Sequence, residues 1–398
     1  MEDLYNEDKN QSVENEELKK IKMIDPYDPF DNPTENHEYN SNYTEIVPQI
    51  EIEGCKIPYK PSYEEKKRIK HFYNIAGGGL FFHFLLTLIL ASTFSFIVLM
   101  VIMNIKGVSF SEYLSGEAGY IYQYIKNSSI EISINLLSYL MSNLLVFFVG
   151  IKISGIKFNS LFQTTNLTVK KVLQYILIGV FLQFGTGIIV NLIQMTMQEA
   201  DISGYSDSVL AFSTTKSMII SAFYTCIVAP ITEELFYRGF IMKTFSRVSQ
   251  RFGILMSAFF FGIAHLNISQ FVFAFIVGIF MGVIDTKHNS LIPSILVHFA
   301  CNSIGTFANI IEYYFSSNST IYYFANYFII GLVLIGIVML VKFCKNNTFP
   351  KSTIHQSFRC KNLALTSIGT IIAAAIYIIY TFNITFPGYF EYMISLFK

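Results

Sequence analysis

Pro230-Ile231-Thr232-Glu233-Glu234-Leu235-Phe236-Tyr237-Arg238 sets two carboxylates and a guanidinium at the end of an apolar run, residues 218–236. An ionisable side chain at bilayer depth is costly, so it marks a functional site by default. The surroundings make bilayer depth the natural reading. The chain is 52% apolar and only 14% charged, with 39 Phe and 25 Tyr, where an ordinary globular protein carries roughly 25% charged residues. Mean hydropathy is +0.45. Apolar runs that suit a membrane helix, which needs about 20 residues, begin with 80–104, 133–150, 172–193 and 218–236 and continue with 253–266, 270–284, 291–311, 324–341 and 363–381. The expectation is an all-α, polytopic membrane bundle of about nine helices. The two short runs at 253–266 and 270–284 should form a tight helical hairpin.

Charge orders these runs. The formal net charge of zero is a cancellation: residues 1–60 hold 15 acidic against 6 basic side chains, and residues 61–398 hold 13 against 22. Alternate connecting segments carry Lys66, Lys67, Arg68 and Lys70; Lys152, Lys157, Lys170 and Lys171; Arg238, Lys243, Arg247 and Arg251; Lys287; and Lys342, Lys345, Lys351, Arg359 and Lys361. That is 18 basic residues, against four (Lys106, Lys126, Lys216 and Lys398) on the other side. The positive-inside bias then predicts a cytoplasmic N-terminus, an external C-terminus and a multi-pass protein of the cell membrane.

Four regions follow: an acidic, disordered cytoplasmic tail (1–60), N-terminal membrane helices (61–214), a core carrying the polar motifs (215–311) and C-terminal helices (312–398). The tail is poor in aliphatics and repeats an Asp-Pro-aromatic unit at 25–33, which suits a solvated linker or a docking peptide for a protein partner. Its polarity argues against a cleavable signal peptide. Five dispersed cysteines without a C-x-x-C predict free thiols. Nucleic-acid binding and a secreted disulfide scaffold are excluded on the same grounds, leaving membrane lipid as the chain's surroundings.

Within the runs the ionisable groups are few: Glu233 and Glu234, with Arg238 beside them, and His83, His265 and His298. Glu234 and Arg238 are i,i+4 on one helical face, so the guanidinium can pair with that carboxylate. Glu233 lies about 100° round the helix and points elsewhere. Pro230 removes a ladder hydrogen bond one turn earlier, freeing carbonyls and widening the helix. Phe261 and His265 repeat the i,i+4 spacing on the next run, as do His298 and Asn302 on 291–311. Three helices thus present a carboxylate, an imidazole, and an imidazole with an amide. Such a set can activate water and stabilise an oxyanion, or bind Zn²⁺ through Glu233, His265 and His298. His83 has no companion motif and reads as packing. Gly278 and Gly282 form a G-x-x-x-G that admits a close helix neighbour. Upright helices would set His298 and His265 at different depths, about 10 and 18 Å from the inner ends of their runs.

The ordered set E-E-x-x-x-R, F-x-x-x-H and H-x-x-x-N, over roughly 215–307, resembles the CPBP family of intramembrane proteases. That family includes the CAAX prenyl endopeptidases and bacteriocin-processing or immunity members. The resemblance implies a helical bundle whose site opens to the cytoplasmic half of the bilayer. It implies Glu233 as the base that activates water, with His265 holding that water. His298 and Asn302 would form the oxyanion side, and Glu234 and Arg238 would brace the first carboxylate. The substrate implied is a membrane-associated protein or peptide, prenylated or leader-bearing; zinc-dependent and metal-free glutamate chemistry both remain open. The alternatives are a non-catalytic immunity or scaffold protein acting through its tail, and a transporter using the buried charges as a proton relay, which the lack of an internal repeat disfavours.

Overall fold

The computed structural model describes residues 63–116, 119–126, 128–199, 214–247, 250–315, 319–346 and 362–385. The tail at 1–60, with the disorder expected of it, lies outside the described residues. Among those residues the chain is helical, with no strand. Eleven helices can be followed: α1 (Tyr63–Lys106), α2 (Phe110–Leu114), α3 (Tyr120–Ile125), α4 (Ser129–Ser154), α5 (Val169–Glu199), α6 (Thr215–Ser246), α7 (Gln250–Ile263), α8 (Ile268–His288), α9 (Ile292–Tyr314), α10 (Thr320–Asn346) and α11 (Ile368–Thr385). Each of the nine apolar runs falls on one of them. Among the described residues, seven helices are long and apolar enough to cross a membrane, and α7 is a shorter apolar helix. The protein is a multi-pass membrane bundle.

Local chemistry sets the helix ends. Ser128 caps α4 by accepting from the Ile130 N–H, and Gly155 ends it in the left-handed conformation at φ 69°. Thr214 and Ser217 form a reciprocal cap at the start of α6. The hairpin expected between 253 and 284 is present: α7 ends at Ile263, Leu266 turns the chain at φ 57°, and α8 restarts at Ile268.

Long helices cross antiparallel, so their ends gather on two opposite faces. On one, Ser154 Oγ meets Thr244 Oγ1 at 3.3 Å, Leu291 N donates to Leu161 O at 3.0 Å and Gln174 Nε2 donates to Met339 O at 3.2 Å. On the other, Thr215 Oγ1 meets Tyr314 OH at 3.3 Å and Thr381 Oγ1 donates to Ile263 O at 3.5 Å. Helix α6 runs through the middle: from Glu234 to Ser246 every side chain but Lys243 is buried. Phe236, Tyr237, Phe240 and Phe245 on α6 pack with Tyr73, Phe147, Phe260 and Tyr377 into one core. Outward-facing Phe324, Phe328, Val338 and Ile379 are exposed, as a lipid-contacting surface requires. The G-x-x-x-G does what its spacing suggested: a Cβ at Gly282 would lie 3.0 Å from Ile254, and one at Gly278 3.2 Å from Ala258, both on α7.

Candidate active site

Helix α6 alternates between two windings. It starts as an α-helix, passes through a π-helical turn at Tyr224–Val228, returns to α at Ala229–Glu234, and winds as a π-helix again over Leu235–Met242. Pro230 explains the first irregularity. In the π-turn Ala229 N–H bonds Tyr224 O; Pro230, lacking an N–H, cannot continue that pattern to Thr225 O. Asn302 on α9 takes the vacant acceptor, its Nδ2 donating to Thr225 O at 2.8 Å. The amide of the H-x-x-x-N pair therefore ties α9 to the widened turn just before the carboxylates.

The carboxylates diverge as their spacing demands. Glu234 is fully buried, and its Oε1 accepts from Arg238 Nη1 at 3.1 Å and from His298 Nδ1 at 2.9 Å. Arg238, also fully buried, stacks over the Phe261 ring at 4.3 Å and reaches Gly278 O with Nη2 at 3.5 Å. Gly278 leaves room for this approach: an added Cβ would lie 3.1 Å from that nitrogen, a tight contact. Glu233 keeps a sliver of exposure (8%), and its Oε2 lies 3.8 Å from His298 Nε2. A gap above 3.5 Å between such groups suits a bridging water. His298 thus has one nitrogen on each carboxylate. Since a Glu234 carboxylate oxygen only accepts, Nδ1 is the donor in that bond, and Nε2 faces Glu233.

His265 is set apart from this trio. Its Nδ1 donates to Phe261 O at 2.8 Å, leaving Nε2 for the cavity. The Phe261 ring stands between the two imidazoles, with centroids 5.1 Å from His265 and 5.7 Å from His298. Among the described residues, no three His, Cys, Asp or Glu side chains gather in a group that could hold a metal ion. As placed, Glu233, His265 and His298 do not fit a zinc ion, whose ligands all stand about 2.0–2.2 Å from it.

Glu233, His265, His298 and Asn302 all line one cavity of about 560 Å³, within the range of ligand pockets. Tyr224 and Thr225 also line it, and the Tyr224 hydroxyl is buried with no hydrogen-bond partner. Two further polar residues went unrecognised in the sequence. Gln183 on α5 lines the cavity with its Oε1 buried and unpartnered; it is one of three amides in the run 172–193, with Gln174 and Asn191, and nothing in the spacing singles it out. Asp285 lies one residue beyond the run ending at 284, so Glu233 and Glu234 are not the only carboxylates inside a helix. It is buried within α8 and accepts from Ser294 N at 3.0 Å, in the first turn of α9. His83 is packing, as expected: it bonds Asn143 Oδ1 at 2.9 Å and stacks on Phe236. Asn143 in turn donates to Thr232 Oγ1 at 3.3 Å, which props the turn bearing Glu233.

A buried Glu–His–amide constellation in a membrane bundle is the makings of an intramembrane hydrolase. Residues 215–304 match the family described as Type II CAAX prenyl endopeptidase Rce1-like, which supports the CPBP/CAAX protease resemblance carried by the three motifs. No curated protein and no solved structure matches the chain. The matched residues are α6 to the middle of α9, the elements that carry all three motifs.

Proposed function

We propose that the protein is an intramembrane endopeptidase in which Glu233 activates water against a peptide bond. The observation that carries this reading is the division of labour between adjacent carboxylates. Arg238 and His298 occupy Glu234, while Glu233 faces the cavity with His298 Nε2 beside it. Water held between Glu233 Oε2 and the imidazoles would lose a proton to Glu233 as its oxygen attacks the scissile carbonyl. The tetrahedral oxyanion would be met by the second N–H of Asn302 Nδ2, the first being held by Thr225 O. When the C–N bond breaks, Glu233 returns the proton to the leaving amine. Glu234 and Arg238 act through His298, fixing its ring and tautomer. With the N-terminus cytoplasmic, the cluster of basic ends lies inside the cell.

The test is cleavage of a candidate membrane substrate by purified wild-type and Glu233→Gln protein. Loss of a positioned general base costs roughly 10²–10⁴ in rate, and the isosteric amide should leave the fold intact. Cleavage at the wild-type rate would end the assignment. Metal content of the same preparations, with chelator sensitivity of the activity, decides between zinc and glutamate chemistry.

A further inference from the structure

Among the described residues, Tyr224 is the one tyrosine that lines the cavity shared by Glu233, His265, His298 and Asn302. Its hydroxyl is buried and has no hydrogen-bond partner among them. The winding of α6 puts it there. Glu233 is the ninth residue after Tyr224, and nine residues of regular α-helix turn through about 900°, which would set the two on opposite faces. The π-turn at Tyr224–Val228 takes up about one extra residue, so the rotation falls to about 800° and the two side chains stand about 80° apart. Both therefore face one cavity.

A second donor is what the proposed reaction needs. Asn302 spends one N–H on Thr225 O, so its amide offers a developing oxyanion a single N–H. Oxyanion holes gather several donors around the charge that appears in the transition state. Thr225 directly follows Tyr224, so the bond that anchors Asn302 also ties α9 to the turn bearing the phenol. That phenol is close enough to Glu233 to interact with it electrostatically, yet it makes no hydrogen bond to the carboxylate. A phenol is protonated at neutral pH and can donate that proton in a hydrogen bond. Burying a hydroxyl unmatched is costly, and a bound carbonyl oxygen would relieve the cost.

We infer that Tyr224 is a further catalytic residue, its hydroxyl donating, together with the second N–H of Asn302, to the scissile carbonyl oxygen as water attacks. The inference rests on the endopeptidase reading. In the first step the water oxygen bonds to the carbonyl carbon, one water proton passes to Glu233, and the C=O π pair moves onto oxygen. The resulting oxyanion accepts the Tyr224 O–H as a hydrogen bond, with no proton transferred. On collapse the pair returns to form C=O, the C–N bond breaks, and Glu233 hands its proton to the leaving amine. Tyr224 ends the cycle unchanged.

Tyr224→Phe removes a single oxygen atom. It is assayed in proteoliposomes beside wild type, Glu233→Gln and Tyr237→Phe, with two internally quenched peptides, one prenylated near its C-terminus and one unprenylated. Loss of one oxyanion donor should lower kcat about 10²–10³-fold. KM should stay within about twofold, since the lost bond strengthens only in the transition state. The unfolding midpoint should not fall, because the hydroxyl had no partner to lose. Tyr237→Phe makes the same change on α6 at a residue outside the cavity lining, and should keep kcat within about threefold. A phosphinic peptide, whose P–O⁻ stands where the oxyanion forms, should inhibit Tyr224→Phe at least about tenfold more weakly than wild type. A Tyr224→Phe kcat within about threefold of wild type, a loss confined to KM, an equal loss in Tyr237→Phe, or unchanged phosphinic inhibition overturns the inference. Cleavage that Glu233→Gln abolishes and Tyr224→Phe retains refutes the role of Tyr224 alone. Cleavage of neither peptide by wild type refutes the endopeptidase reading, and the role of Tyr224 falls with it.

Discussion

Arg238→Met removes the cation from a pair in which both side chains have no solvent exposure. At the 3.1 Å separation of Nη1 and Oε1, and with an effective dielectric of ~20, the attraction is roughly 5 kcal/mol. Deleting one partner of a buried pair leaves an uncompensated charge and costs about 3–5 kcal/mol. Here Glu234 would retain only the His298 Nδ1 bond, and the cation–π contact of Arg238 with Phe261 would be lost as well. The double variant Glu234→Gln/Arg238→Met removes both charges, so it should be more stable than Arg238→Met alone. Reversible unfolding in mixed micelles, followed by helical circular dichroism, measures Arg238→Met, Glu234→Gln and the double variant against wild type; buried Cys301 offers a second probe through a thiol-reactive dye. A cost for Arg238→Met under about 1 kcal/mol, or a double variant whose loss equals the sum of the single losses, would show that the pair is not coupled. The role assigned to Glu234 would then fail.

Other positions test separate joints of the structure. Gly77→Ala would set a methyl 2.2 Å from Thr370 N, a backbone atom of α11, so it should destabilise by about 1–3 kcal/mol in the same unfolding assay. His83→Ala removes a ring bonded to Asn143 and stacked on Phe236; it should lower stability while leaving at least half of any cleavage activity, and a complete loss of turnover in folded protein would move His83 into the site. Asp285→Ala deprives Ser294 N of its acceptor at the start of α9, costing roughly 0.5–2 kcal/mol as lost caps do, again read by unfolding.

The helices were legible because apolar runs of membrane length and alternating basic ends need no tertiary information: a segment that buries its backbone groups in lipid must be helical. The i,i+4 spacings were legible for the same reason, since Glu234 and Arg238 meet wherever residues 234–238 are helical. Asp285 was missed because the apolar run stops at 284 whereas α8 continues to His288. Gln183 was missed because nothing in the spacing sets it apart from Gln174 and Asn191 in the same apolar run.

What the sequence determined by itself is therefore local: helix positions, the faces of single helices, and a charge division that orders the crossings. It named Glu233, Glu234, Arg238, His265, His298 and Asn302 without showing who touches whom. Tertiary structure decided that His298, rather than His265, stands beside Glu233, and that Asn302 repairs the carbonyl vacated at Pro230. Those outcomes depend on the relative depth and packing of separate helices, which spacing along any single helix does not encode.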